Sequence, residues 1–294
     1  MYDLSVPIIH NGKEQNVIEK VYNVDDFPYD IIKDFKVIYK SKGKRKHRYF
    51  NESIAFDIET TTIKKLNEKG EPFGYGFMYQ WQVCVKDKVV FGRTWEEFLQ
   101  FINILIEKRD LYFKDLNVII PIYVHNLSYE FQFIKDFFVW SNVFCKQKHK
   151  VIYARTNKNI EFRCSYLLSG YSLSMLGKQL TTHKVKKMDG DLDYSLIRNS
   201  KTPLTDKELG YCVNDVRVVM AYIQEKLEQE GILSTLPITK TGYVRQYCRK
   251  RCLYLEGHKQ NRRYKELMDK LKINDLSEFD LLQRAFQGGF THAN

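Results

Sequence analysis

The stretch "SIAFDIETTT", residues 53–62, decides how the fold is read. Ile54, Ala55 and Phe56 have the character of a buried strand, and that strand delivers Asp57 and Glu59 just before three threonines in a row. Residues i and i+2 of a strand point to the same face, so both carboxylates aim at one spot. Like charges so placed are stable only with something positive between them. In an all-oxygen site the natural candidate is Mg²⁺ or Mn²⁺. The plainer alternative is a solvent-exposed strand end with a capping Asp.

Working outward, the turn-rich EKGEPFGYG leads into YGFMYQWQVCV and then KVVFGRT, with Lys86-Asp87-Lys88 able to turn a hairpin. Two antiparallel strands are thus expected beside the acidic one. Thr94 opens TWEEFLQFINILIEKRD, a Thr-x-x-Glu capping box followed by apolar residues at helical spacing. NVIIPIYVHN reads as a second buried strand and LSYEFQFIKDFFVW as a helix, with His125, Asn126, Tyr129 and Glu130 at their junction. VIYARTNKNIEFRCSY reads as another hairpin, followed by helical SLSMLGKQL and a polar loop to residue 203. Thr205 to Glu230 is the longest helix, with a capping box Thr205 to Glu208 and a stop at Gly231. Tyr211 and Asp215 lie four apart on it, hence on one face. This order gives a mixed α/β sheet with helices on its faces rather than a uniform βαβ repeat.

Composition narrows the class. A chain of 294 residues, 44% of them hydrophobic, can bury one substantial core plus a smaller appendage. The balance of 47 Lys+Arg against 36 Asp+Glu gives +11, and with 14% aromatics it suits phosphate contacts and base stacking. Nucleic acid is the leading partner class. Cysteines 84, 145, 164, 212, 248 and 252 form no paired CxxC clusters and read as reduced thiols. Cys248, Cys252 and His258 lack a fourth ligand for zinc. The beginning MYDLSVPIIHNGKEQ has no signal-peptide layout, and no run of about 18 apolar residues occurs, so a soluble cytoplasmic protein without a membrane partner is expected. Residues 1–50 read as an extension that ends in the basic KSKGKRKHR, either a solvated loop or a phosphate-contacting arm.

Taken together, Asp57-Ile58-Glu59-Thr60, His125-Asn126-Leu127-Ser128-Tyr129-Glu130 and Tyr211-x-x-x-Asp215 resemble the three exonuclease motifs of family B DNA polymerases, in the protein-primed branch of phages and linear plasmids. Ser172-Leu173-Ser174-Met175-Leu176, Gly190-Asp191-Leu192-Asp193-Tyr194 and Phe286-Gln287-Gly288-Gly289-Phe290-Thr291 are similar to three further motifs of that family, in the same order.

The resemblance implies a ribonuclease H-like fold and a 3′-to-5′ exonuclease that shortens single-stranded DNA with two Mg²⁺ or Mn²⁺ ions. Asp57, Glu59, Glu130 and Asp215 would be the metal ligands, with Glu130 assisting Asp57 at the second ion, and Tyr211 would orient the attacking water. Thr60, His125, Asn126, Tyr129, Ser172, Leu173, Tyr194, Phe286, Gly288 and Gly289 would touch the DNA. The implied division is an extension over 1–50, a nuclease domain over 51–235 and the helical start of a polymerase region over 236–294.

The chain departs from the family in having Glu130 where the motif ends in Asp, Asp189 where it has Lys, and Phe286 where it has Tyr. It also lacks the family's polymerase motifs, so nucleotide addition would need a further polymerase domain or chain, with a terminal protein as another partner. The implied setting is a phage- or plasmid-encoded protein in a host cell. The basic helical residues Arg245, Arg249, Lys250, Arg251, Arg262, Arg263 and Lys265 would track DNA or pack on that domain. A catalytically weak DNA- or partner-binding module of a split polymerase is the competing reading, and an RNA nuclease of the same fold is a third. Were Asp215 well over 10 Å from Asp57 and Glu59, no cation could bridge them.

Overall fold

A computed structural model describes residues 2–10, 13–42, 45–66, 68–114, 117–147, 149–185, 192–193, 195–254 and 261–287. The chain divides into two compact units, Met1–Lys240 and Thr241–Asn294. The first holds a nine-stranded mixed sheet whose centre is the acidic strand β5, Ile54–Leu66. β5 pairs antiparallel with β6, Pro72–Val85, which pairs antiparallel with β7, Lys88–Gly92. On its other side β5 runs parallel to β8, Ile120–Val124, and β8 runs parallel to β11, Ile160–Cys164. This is the expected mixed α/β sheet flanked by helices.

Alternation along β5 separates two chemistries. Ile54, Phe56 and Ile58 join Trp81, Val83 and Val85 of β6 in the main core, against Phe98, Phe101, Ile102 and Leu105 of α1, Trp95–Tyr112. Ala55, Asp57 and Glu59 take the opposite face, where the long helix α5, Asp206–Glu230, packs. The α1 N-terminus is set as its sequence predicts, with Thr94 accepting from the Glu97 N–H and the Glu97 carboxylate accepting from the Thr94 N–H. Close approach at that corner needs Gly92, because a Cβ there would meet the Trp81 ring at 2.5 Å. α5 begins with the same device, Thr205 and Glu208, and ends at Gly231 in the left-handed region, φ +76°.

The structure differs from the sequence expectation at several elements. The first 50 residues contribute β1, Tyr2–His10, and β2, Lys13–Tyr22, which extend the main sheet beyond β7. They also form a separate two-stranded sheet, β3, Val37–Lys42, with β4, Arg45–Phe50. The helix expected over 127–140 stops early: α2 is Leu127–Ile134, and Trp140 begins an edge strand, β9, Trp140–Gln147, beside β10, Lys150–Thr156. Trp140 and Phe138 pack against Phe162 of the core, so β-favouring aromatics prevail there over helical continuation. After β11 the chain forms two short helices, α3, Ser165–Ser169, and α4, Leu173–Gln179. Glu225 of α5 anchors the turn after α4, accepting from the backbone N–H groups of Thr181, Thr182 and His183 at 2.7, 2.6 and 2.9 Å.

The second unit consists, among the described residues, of α6, Lys240–Tyr254, α7, Asn261–Lys270, and α8, Leu276–Gln287. No described helix is long and apolar enough to cross a membrane.

Candidate metal centre and nucleic-acid site

Asp57, Glu59 and Asp215 each offer a carboxylate oxygen such that all three lie within 4.8 Å of one another. Strand spacing brings the first two together, and α5, crossing the same face of the sheet, brings the third. Ligands of one octahedral Mg²⁺ at roughly 2.1 Å lie within about 4.2 Å of each other, so a small rotation of these side chains suffices to share an ion. Glu59 and Asp215 are buried and Asp57 is half-buried, which leaves one side of the trio open to substrate.

Glu130 is delivered by the first turn of α2, directly after β8, the parallel neighbour of β5. It is only 4% exposed. Burial first, then the charges of Asp57 and Glu59, pushes its carboxyl well above the usual carboxylate range. Its Oε2 is a buried acceptor with no hydrogen-bond partner. Three clustered carboxylates, with a fourth held close enough to feel their charge and one acceptor orphaned, form a donor set fitted to hard divalent cations.

Sequence reasoning missed Gln82. It stands opposite Asp57 in the β5–β6 register, is fully buried, and its Nε2 donates to Asp57 Oδ2 at 3.2 Å and to Glu59 Oε1 at 3.3 Å. One amide therefore holds both carboxylates in register. The available signal was a glutamine inside the otherwise apolar run WQVCV. Gln82→Met, close in volume, removes two hydrogen bonds to charged groups and is expected to slow a metal-dependent reaction at this centre roughly tenfold or more. Steady-state rates beside an unchanged thermal melt check it.

Cys212 also escaped notice. It is fully buried one turn before Asp215, and burial, followed by the charges of Glu59, Asp215 and Asp57, raises its thiol well above the ordinary range. It stays a neutral spacer under the carboxylates. Tyr211 lies on the same helix, 9% exposed and packed with Leu192 and Cys212.

The polar residues around the trio fall into groups. The Thr60 and Tyr129 hydroxyls are hydrogen-bonded at 2.6 Å, and the Tyr129 ring, 43% exposed, lies 5.2 Å from Phe133. Exposed Asn126 caps α2 through its carbonyl, which accepts from the Tyr129 N–H. His125 Nδ1 meets Ser165 Oγ at 3.1 Å, and its ring stands edge-on to Tyr166. Ser172 caps α4 by accepting from the Met175 N–H, and half-buried Leu173 opens that helix. The loop after residue 192 is pinned to the acidic strand, since Thr61 Oγ1 donates to the Leu196 carbonyl and buried Arg198 pairs with Glu208 at 2.6 Å. Arg93 adds hydrogen bonds to the carbonyls of Asn199 and Thr202. Tyr194, Asp189, Gly288, Gly289 and His258 lie outside the described residues, as do the side chains of Phe286 and Cys252.

Among solved structures, the chain is similar to phi29 DNA polymerase complexed with primer-template DNA, with a TM-score of 0.47 and 16% identity, over 64% of this chain and 33% of that one. The same polymerase complexed with single-stranded DNA gives a TM-score of 0.45 and 15% identity over the same shares. The catalytic core of RRP6 from Trypanosoma brucei (mutant C496S) gives a TM-score of 0.35 and 11% identity, over 80% of this chain and 64% of that one. The chain thus spans about a third of the length of the polymerase structures. No protein-family model matches the chain. No curated protein matches it either.

Half-buried Asp57 lies on β5, and the exposed Tyr129 ring lies on α2, the helix that follows β8, tied to β5 through Thr60.

Proposed function

We propose that this chain is a metal-dependent 3′-to-5′ exonuclease acting on single-stranded DNA, the proofreading part of a family B, protein-primed type DNA polymerase. The observation that carries the reading is the meeting of Asp57, Glu59 and Asp215 within 4.8 Å, at positions that resemble the first and third of the family's exonuclease motifs. Residues 51–235 would form the nuclease domain and 236–294 the start of a polymerase region. Asp57, Glu59, Glu130 and Asp215 would hold two divalent cations. When bound, these would lower the pKa of a water and neutralise charge on the leaving oxygen.

The protein's own groups do the positioning. Gln82 fixes the angle between Asp57 and Glu59. The Tyr211 hydroxyl, a hydrogen-bond donor and acceptor, would orient the attacking water rather than act as its base. The Tyr129 ring supplies a stacking face worth about 1–3 kcal/mol per base, with its hydroxyl held by Thr60.

A 5′-labelled single-stranded oligonucleotide with Mg²⁺ or Mn²⁺ tests the proposal: a ladder of shortened products is expected. No ladder, together with equal DNA binding by wild type and Asp57→Ala, would leave a binding module instead. A faster digestion of RNA than of DNA would replace the substrate class, since the 2′-hydroxyl is the group that distinguishes them. Glu130→Asp shortens the side chain by one methylene toward the family's residue and is expected to keep or raise the rate. A complete loss would mean that the longer reach of Glu130 is needed.

A further inference from the structure

The described residues of the basic stretch before the acidic strand lie on a two-stranded ribbon. β3 and β4 pair antiparallel in their own sheet, with Tyr39 opposite Arg48, Lys40 opposite His47 and Lys42 opposite Arg45. Residues 37–50 carry six Lys or Arg and no Asp or Glu, in a chain whose net charge is +11. Like charges placed directly opposite weaken a hairpin, and an isolated two-stranded ribbon is marginal in water.

The ribbon nevertheless stands on a rigid base. Phe35, Tyr49 and Phe50 are buried, and the Ile119 N–H donates to the Arg48 carbonyl at 2.8 Å while the Phe50 N–H donates to the Ile119 carbonyl at 3.1 Å. Asn51 ties the same base to the end of α5, its Oδ1 accepting from the Leu233 N–H at 2.7 Å. A concentration of positive charge held on a fixed base against its own repulsion calls for an anionic partner. Residues 40–48 contain no apolar side chain to enter a lipid interface, whereas membrane-surface segments interleave them. A two-stranded β-ribbon also fits the major groove of duplex DNA, about 12 Å wide.

We propose that the β3–β4 ribbon is a second nucleic-acid surface, one that grips the phosphates of duplex DNA, apart from the acidic centre. Ile119, at the ribbon's base, precedes Val124, which pairs with Phe56 beside the acidic residues, by five residues of strand, roughly 16 Å. A duplex held there would lie behind a single-stranded 3′ end that reaches the carboxylates. That placement rests on the nuclease reading; the duplex grip does not.

The test replaces Lys40, Lys42, Arg45 and Lys46 with Gln and measures binding, in EDTA, to a labelled duplex carrying a single-stranded 3′ tail across a salt series. Each lost phosphate contact removes about 0.9 from the slope of log affinity against log salt, so a fall of about 3.6 is expected for the four, with at least a tenfold loss of affinity near 0.1 M salt. Digestion of a short single strand stays at the wild-type rate. A variant with Lys40, Lys42 and Lys46 changed to Arg keeps the wild-type slope, and circular dichroism melts confirm that both variants fold.

An unchanged slope in the Gln variant overturns the proposal. So does a loss confined to phosphatidylserine vesicles with duplex binding intact, which would make the ribbon a membrane surface. If the wild type cuts no strand yet the slope falls as stated, the nuclease reading fails and the ribbon's role stands.

Discussion

If the proposed function holds, Asp57→Ala and Asp215→Ala are each expected to lower digestion of single-stranded DNA by on the order of 10³-fold or more, because each removes a carboxylate from the trio that shares a 4.8 Å neighbourhood. The same substitutions should leave the fold intact or stabilise it in a chelating buffer. Three carboxylates in one neighbourhood repel, and a repulsion retained for chemistry is relieved when one member is removed. Added Mn²⁺ should reverse the order: the wild type gains stability from a ligand that only the folded state binds, and the variants do not. Thermal melts with and without Mn²⁺, beside gel assays of digestion, read both halves. A variant that loses activity while keeping the full Mn²⁺-induced shift would separate Asp57 or Asp215 from the metal.

The second large effect lies away from the site. Glu161 on β11 is 2% exposed and sits between two guanidinium groups, accepting from Arg155 Nε and Arg163 Nε at 2.7 Å each. Arg155 also donates to the Tyr49 hydroxyl and Arg163 to that of Tyr123, with Arg163 stacked 5.2 Å from the centre of the Tyr49 ring. This network fastens the β10–β11 hairpin to the base of the basic ribbon. Glu161→Gln leaves two buried or half-buried cations without their counter-charge, and the expected loss is about 3–5 kcal/mol.

Burial alone would raise the Glu161 carboxyl, but the charges and hydrogen bonds of Arg163 and Arg155 outweigh it and hold it below the usual carboxylate range. A depressed folded-state pKa gives stability that is present above the unfolded value, near 4.3, and is lost as pH falls through the folded value. The gap in stability between wild type and Glu161→Gln should therefore be constant from neutral pH to about pH 5 and narrow in more acid solution. Urea denaturation at a series of pH values measures it. A gap that widens in acid, or none at neutral pH, would contradict this account.

Much of the centre was legible in sequence because it depends on local periods. Asp57 and Glu59 share a face by the two-residue period of a strand, Tyr211 and Asp215 by the turn of a helix, and both long helices announce their starts with Thr-x-x-Glu. Three features resisted reading because they depend on pairing across the chain. Gln82 gains its role only from the register that sets it opposite Asp57. The strand at Trp140 arises from tertiary packing of its ring on Phe131, Phe138 and Phe162, which local pattern could not separate from a helix end. β2 opens with Lys13, Glu14, Gln15 and Asn16, where a lone amphipathic strand would alternate with apolar residues. It is held as a strand by pairing with β7 on one side and β1 on the other.

The central claim is that Asp57, Glu59 and Asp215, with Glu130 beside them, hold divalent cations. Titrating Mn²⁺ into the metal-free protein and following free Mn²⁺ by electron paramagnetic resonance tests it most directly. Saturable binding of two ions is expected in the wild type, at least one of them lost in Asp215→Asn with an unaltered melt in chelator. Equal binding by wild type and Asp215→Asn, or none by either, would contradict it.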